Sequence, residues 1–225
     1  MLGQHGRWIT KALLTKPALA LGRMGVTPNM LTVTGTVLSV SVATLVIPTG
    51  NFALALALLI VVIAGDAFDG ILARATGTAS PFGAFLDSTM DRFADAAVFG
   101  SFALWALWHM PSGRLQSVTV ALSVVCVAFA LTVSYARARA ESVGKTAAVG
   151  IAERTDRLIT IALFALASQI FSYQPAVTIG LGVVAVASFI TIIQRMFTVK
   201  HQFDAERSTS HATSPHPDIT APDTL

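Results

Sequence analysis

Charge is scarce in this chain of 225 residues: Asp, Glu, Lys and Arg together make up 12%, about half the share usual in a soluble domain. So little charge argues against a water-covered globular enzyme. Cysteine is nearly absent as well. Cys126 is the only one, which excludes an intrachain disulfide, and its setting in the apolar run LSVVCVAFAL marks it as packing rather than chemistry. The five histidines, at positions 5, 109, 201, 211 and 216, are scattered without metal-ligand spacing. There is no internal repeat. Nor is a cleavable leader evident: the first long apolar run begins near residue 31 and lacks a small-residue cleavage site, so it is expected to stay as a membrane span.

Apolar mass is what the chain has in abundance. Hydrophobic residues make up 54% and the mean hydropathy is +0.69, so the bilayer is the expected solvent. The pI near 9.4 then fits an anionic lipid surface better than a nucleic acid.

A membrane-crossing helix needs roughly 20 mostly apolar residues, and six stretches qualify at about 29–48, 52–73, 83–108, 115–138, 155–172 and 176–197. Breakers separate them: Pro48 to Asn51, Thr76 to Pro81, Pro111 to Gly113, and Tyr173 to Pro175. The fold expected is an all-α integral membrane domain over residues 1–202. An interfacial amphipathic helix over 4–22, mixing Trp8, Ile9, Leu13 and Leu14 with Arg7, Lys11 and Lys16, precedes it. From about 203 the Ser-, Thr-, Pro- and His-rich tail reads as disordered. The 48–51 and 172–175 turns carry no charge, whereas nearly all Lys and Arg and every acidic residue lie on the other side. The positive-inside rule therefore predicts a multi-pass protein with both termini and the polar machinery in the cytoplasm.

The segment GDAFDGILARATGTASPFGAFLDSTMDRFAD concentrates the chemistry. Asp66 and Asp69 share one face of span two by their i,i+3 spacing. Asp87 and Asp91 share one face of span three by i,i+4. The short loop at 76–81 is expected to make the two helices neighbours, so that all four carboxylates converge. One acid at mid-membrane costs roughly 2.5–3.5 kcal/mol, and two carboxylates 4 Å apart repel by about 4 kcal/mol at an effective dielectric of 20. Arg74 and Arg92 are too few to neutralise four such groups. Hard divalent cations suit an all-oxygen cluster, Mg²⁺ or Mn²⁺, and a pair of them can clamp a phosphoryl displacement. Gly70 and Gly83 give a nucleotide close access to backbone, and Arg74 is placed to meet phosphate. Each of these residues read alone is equally a packing glycine or an interfacial arginine.

The pattern D-x2-D-G-x2-A-R-x8-G-x3-D-x3-D, matched without a gap by Asp66, Asp69, Gly70, Ala73, Arg74, Gly83, Asp87 and Asp91, resembles the signature of the CDP-alcohol phosphotransferases. The resemblance implies a CDP-linked donor, a hydroxyl acceptor, release of CMP and two divalent metals. It makes Asp66, Asp69, Asp87 and Asp91 metal ligands, with Asp91 also the general base. Gly70, Arg74, Gly83 and Ser80, with Asp69 and the Asn29, Met30, Leu31 and Thr32 segment, would hold the CDP-diacylglycerol. Asp95 lies outside the signature and is expected to be a hydrogen-bonded neighbour. A homodimer is implied by analogy with the family.

Arg137, Arg139, Lys145, Arg154, Arg157 and Arg195 form a basic set without a matching acidic set. It suits a phosphorylated acceptor, or else reflects inside-positive topology and anionic headgroups. The stretches SYARARAESVG and GIAERTDR are similar to those of actinobacterial phosphatidylinositol-phosphate synthases. That likeness implies inositol 1-phosphate as acceptor, with Arg137, Arg154, Arg157 and Arg195 holding its phosphate; glycerol 3-phosphate is the alternative acceptor. Two other classes fit less well. An intramembrane prenyltransferase would have its aspartate motifs far apart, and a cation transporter would carry acids toward mid-membrane.

Overall fold

The computed structural model describes residues 22–212, and of these the backbone alone at 66–69, 75, 76 and 209–212. Six long helices follow one another: α1 (Pro28–Val46), closed by a 3-10 turn at Ile47–Thr49, α2 (Phe52–Thr76), α3 (Pro81–His109), α4 (Arg114–Ser142), α5 (Arg154–Ile170) and α6 (Pro175–Ala212). Their starts fall where capping residues stand. Thr27 accepts from the Met30 N–H ahead of Pro28, Asn51 from the Leu54 N–H, and Ser80 from the Gly83 N–H ahead of Pro81. Each side chain satisfies an orphan donor, and a proline in the first turn sacrifices none. Glu153 and Asp156 close a capping box on α5. Gly50 and Gly77 follow helical segments with φ of 80° and 68°, the left-handed conformation that ends a helix without Cβ strain.

Four helical stretches, Pro28–Thr49, Phe52–Arg74, Arg114–Ser142 and Pro175–Ser208, are long and apolar enough to cross a membrane. The other two expected spans fall short for separate reasons. α3 carries Asp87, Asp91, Arg92 and Asp95 in its first half. The 17 residues of α5 reach about 26 Å, under the roughly 30 Å of hydrocarbon. The interfacial helix expected over 4–22 lies outside the described residues, apart from Gly22.

α4 packs on α6, α1 on both α2 and α3, α3 on α4, and α5 on α6, while α2 meets α5 more sparingly. Phe99, Phe102, Trp105, Ile161, Val177 and Leu181 are buried at the centre. Leu45, Val61, Leu163 and Val186 stay exposed, as lipid-facing positions do. α5 and α6 approach closely because Gly180 has no side chain: a Cβ there would lie 2.5 Å from the Phe164 Cβ.

Two expectations need correction. α2 and α3 are not tightly packed neighbours among the described residues. They are joined through residues 77–80 and meet again where Phe52 stacks on Phe102 and Trp105, at 5.8 and 5.3 Å between centroids. Between those points, with α1 wedged against both, a cavity of about 430 Å³ lies among α1, α2, α3 and α5. The chain also stays helical from 203 to Ala212. Lys200 pairs with Asp204 one turn on, Lys145 pairs with Glu206 and lies 4.5 Å over the Phe203 ring, and Gln202 bonds both the Thr146 N–H and its carbonyl. These contacts tie the end of α6 to the α4–α5 loop; residues 213–225 lie outside the described part.

Candidate active site

The first half of the aspartate motif lies on the C-terminal part of α2, where Asp66 and Asp69 fall about three and two turns before its end; their side chains are not among those described. One turn after Asp69–Gly70, the Arg74 guanidinium folds back over the glycine, so that a Cβ on Gly70 would sit 3.3 Å from Arg74 Nη1. At the start of α3, a Cβ on Gly83 would sit 3.4 Å from Ser80 Oγ and 3.5 Å from Asn29 Oδ1. The N-termini of α1 and α3 therefore bring Asn29, Ser80 and Gly83 together. Met30 is exposed and Leu31 half-buried. Thr32 is buried, its hydroxyl donating to the Pro28 carbonyl at 3.2 Å.

The second half runs down one face of α3. Asp87 is exposed, Asp91 is half-buried and Asp95 is buried, so the stripe leads from the exposed start of α3 into the bundle. Asp91 lies within electrostatic range of Asp87 and Asp95, and arginines answer that repulsion. Arg154 Nη1 donates to Asp91 Oδ1 at 2.6 Å while Arg92 Nη2 approaches Asp91 Oδ2 at 3.5 Å. Arg154 also donates through Nε to Asp95 Oδ1 at 2.9 Å. The other Asp95 oxygen accepts from Arg157 Nη2 at 3.2 Å, and Arg157 Nη1 donates to the Ala152 carbonyl at 3.0 Å.

The four arginines expected to hold an acceptor phosphate occupy different settings. Arg154 is one-third exposed beside the acids. Arg157 is 2% exposed beneath it. Arg195 is also buried, donating to the Val149 carbonyl at 2.9 Å and the Val133 carbonyl at 2.5 Å, within electrostatic range of Arg137 and Arg157. Arg137 lies exposed at the rim, bonded to Glu141 at 3.0 Å. Asp95 is hydrogen-bonded, as expected, and what the sequence did not single out is that two of these arginines converge on it. The available signal was an acid one turn deeper in an apolar helix than the motif requires, which demands a cation.

The donor set fits divalent cations. It is all carboxylate oxygen, the ligand type that Mg²⁺ and Mn²⁺ prefer, and positive charge already collects on Asp91. Among the described residues, which omit the Asp66 and Asp69 side chains, no three acidic, imidazole or thiol groups converge; Asp87 and Asp91 are the described half of the set. Behind them, the cavity between α2 and α3 has Asp95 and Arg154 at one end and apolar walls that include Leu56, Leu59, Phe102 and Leu158.

The sequence model of the CDP-alcohol phosphatidyltransferases matches residues 25–207. The phosphatidylinositol phosphate synthase of Streptomyces avermitilis is 38% identical over 208 residues, which cover 90% of this chain and 84% of the relative. That of Corynebacterium glutamicum is 36% identical, with 87% and 88% covered. Among solved structures, the Mycobacterium tuberculosis phosphatidylinositol phosphate synthase with CDP-DAG bound superposes with a TM-score of 0.77 at 35% identity, covering 84% of this chain and 94% of that one. The same enzyme in complex with manganese and citrate gives 0.76 at 34% identity, covering 92% and 93%.

Proposed function

The chain belongs to the CDP-alcohol phosphatidyltransferase family, and on that premise we propose that it transfers the phosphatidyl group of CDP-diacylglycerol to inositol 1-phosphate, giving phosphatidylinositol phosphate and CMP. Relatives covering most of the chain are named for that product, and the Mycobacterium tuberculosis enzyme of the same name has been solved with CDP-DAG bound. The observation that carries the acceptor is the cationic group beside Asp91. Arg154 touches Asp91 itself, Arg157 lies beneath it and Arg195 approaches from α6. A neutral alcohol needs no second anion site, whereas a phosphomonoester does.

In this reading Asn29, Ser80, Gly83, Gly70 and Arg74 hold the cytidine diphosphate, and the apolar cavity between α2 and α3 takes lipid tail. Asp91 accepts the proton of the acceptor hydroxyl as that oxygen bonds to the phosphatidyl phosphorus. The bond from phosphorus to the CMP oxygen breaks, and CMP leaves with the electron pair. Divalent cations, Mg²⁺ or Mn²⁺, held by Asp66, Asp69, Asp87 and Asp91 neutralise the diphosphate when bound. Arg154, Arg157, Arg195 and Arg137 orient the acceptor phosphate, Arg154 by contact and the buried pair by their field.

The same proposal includes six spans, with the charged end and both termini in the cytoplasm, and a homodimer. α3 and α5 would cross with their polar ends turned into the bundle, where Asp95, Arg154 and Arg157 neutralise one another.

The test is CMP release by the purified protein in detergent with CDP-diacylglycerol and Mg²⁺, comparing inositol 1-phosphate, free inositol and glycerol 3-phosphate. Turnover with inositol 1-phosphate alone is expected. Turnover with glycerol 3-phosphate instead would keep the aspartate chemistry and replace the acceptor, and turnover with free inositol would remove the phosphate site.

A further inference from the structure

We infer that Asp95 is a positioning residue for the acceptor: it sets the guanidinium of Arg154 where an acceptor phosphate and Asp91 both meet it. The inference rests on the acceptor reading above and adds a residue that the eight-position motif does not contain.

Asp95 is 1% exposed and follows Asp91 by one turn on α3. Its two oxygens are divided between two arginines of α5: Oδ1 accepts from Arg154 Nε at 2.9 Å and Oδ2 from Arg157 Nη2 at 3.2 Å. A buried carboxylate with a cation on each oxygen has little orientational freedom. Arg157 is further tethered by the Ala152 carbonyl, so Asp95 is gripped from below as it grips Arg154 above. Arg154 is the one member of this trio with a partly exposed side chain, and its Nη1 lies 2.6 Å from Asp91 Oδ1. Holding the Nε edge fixes the plane of the guanidinium. The orientation that remains presents the Nη groups to Asp91 and to an incoming anion together. A long arginine side chain otherwise loses much of its rotamer freedom on binding a ligand. Asp95 has imposed that order beforehand, which favours acceptor binding by preorganisation.

The side chain acts through Arg154 and touches no reacting atom, which separates it from Asp91. Its removal is therefore expected to weaken the acceptor and spare the donor. With full-length protein in detergent and Mg²⁺, Asp95→Asn should raise the KM for inositol 1-phosphate by roughly 10-fold, with the KM for CDP-diacylglycerol within about twofold of wild type. Coupling is the sharper readout. In an Arg154→Gln background, adding Asp95→Asn should leave the acceptor KM nearly where Arg154→Gln alone put it.

Should Asp95→Asn give little folded protein, Asp95→Glu keeps the charge and displaces the carboxylate by one methylene, and the same split in KM is expected. Equal losses for both substrates, or a full Asp95→Asn effect persisting without Arg154, would overturn the inference. Failure of the acceptor reading looks different: wild type would then ignore inositol 1-phosphate. If it used glycerol 3-phosphate, the KM split should appear with that acceptor. If it used only a neutral alcohol, the inference falls with the reading.

Discussion

Arg157→Gln puts the buried charge cluster to a quantitative test. Arg157 is 2% exposed and loses two partners on truncation, the Asp95 carboxylate at 3.2 Å and the Ala152 carbonyl at 3.0 Å. Breaking a buried ion pair by removing one partner costs about 3–5 kcal/mol. Here the low end applies, because Asp95 keeps Arg154 at 2.9 Å. Arg157 Nε is buried without a hydrogen-bond partner, so deleting it returns about 1 kcal/mol of desolvation. The net loss is about 2 kcal/mol, a fall in Tm of roughly 4–8 °C for a chain of this size. Arg137 is the control: its exposed pair with Glu141, one turn along α4, is worth about 0.3–0.5 kcal/mol. Thermal unfolding in detergent, followed by the fluorescence of the three tryptophans, reads both. An Arg157→Gln variant that melts with wild type, or no lower than Arg137→Gln, would refute the reasoning. Normal stability with acceptor binding lost would instead make Arg157 a direct phosphate contact.

Asp91→Asn should cut CMP release by at least about 100-fold while CDP-diacylglycerol still binds; turnover near wild type removes Asp91 as base. EDTA should abolish CMP release, with Mg²⁺ or Mn²⁺ restoring it, and activity surviving chelation would contradict the all-oxygen metal site. Gly83→Ala places a methyl in ordinary contact with Ser80 Oγ and Asn29 Oδ1, so Tm should hold while the KM for CDP-diacylglycerol rises; an unchanged KM would move the nucleotide elsewhere. Lys145→Ala removes the pair with Glu206 and the contact with Phe203. It should make the α4–α5 loop more sensitive to thermolysin in limited digestion, and an unchanged cleavage pattern would show that the clasp does not hold that loop.

Much of this protein was legible along the chain because the relevant forces act over one to four residues. Thr27-Pro28, Asn51 and Ser80-Pro81 announce helix starts by capping, and Gly77 announces a stop by its tolerance of positive φ. The i,i+3 and i,i+4 spacing of the aspartates assigns each pair to one helix face whatever surrounds it. Apolar length alone marked α1, α2, α4 and α6 as long enough to cross a membrane.

Only the tertiary structure decided which charges meet. Arg154 and Arg157 find Asp95 across 59 and 62 residues of chain. Arg195, equally basic in sequence, donates to the Val133 and Val149 carbonyls instead. Nothing local distinguishes these arginines; the packing of α3 against its neighbours and of α6 against α4 and α5 does. The cavity between α2 and α3 has the same origin, since the loop joining them says nothing of α1 wedged against both. The helical end of α6 was likewise hidden. Its polar composition reads as a tail, and it is held by Lys145 and Thr146 from a distant loop. Sequence thus determined the helices and the spacing of the carboxylates along them, while the choice of partners for buried charge had to wait for helix surfaces to meet.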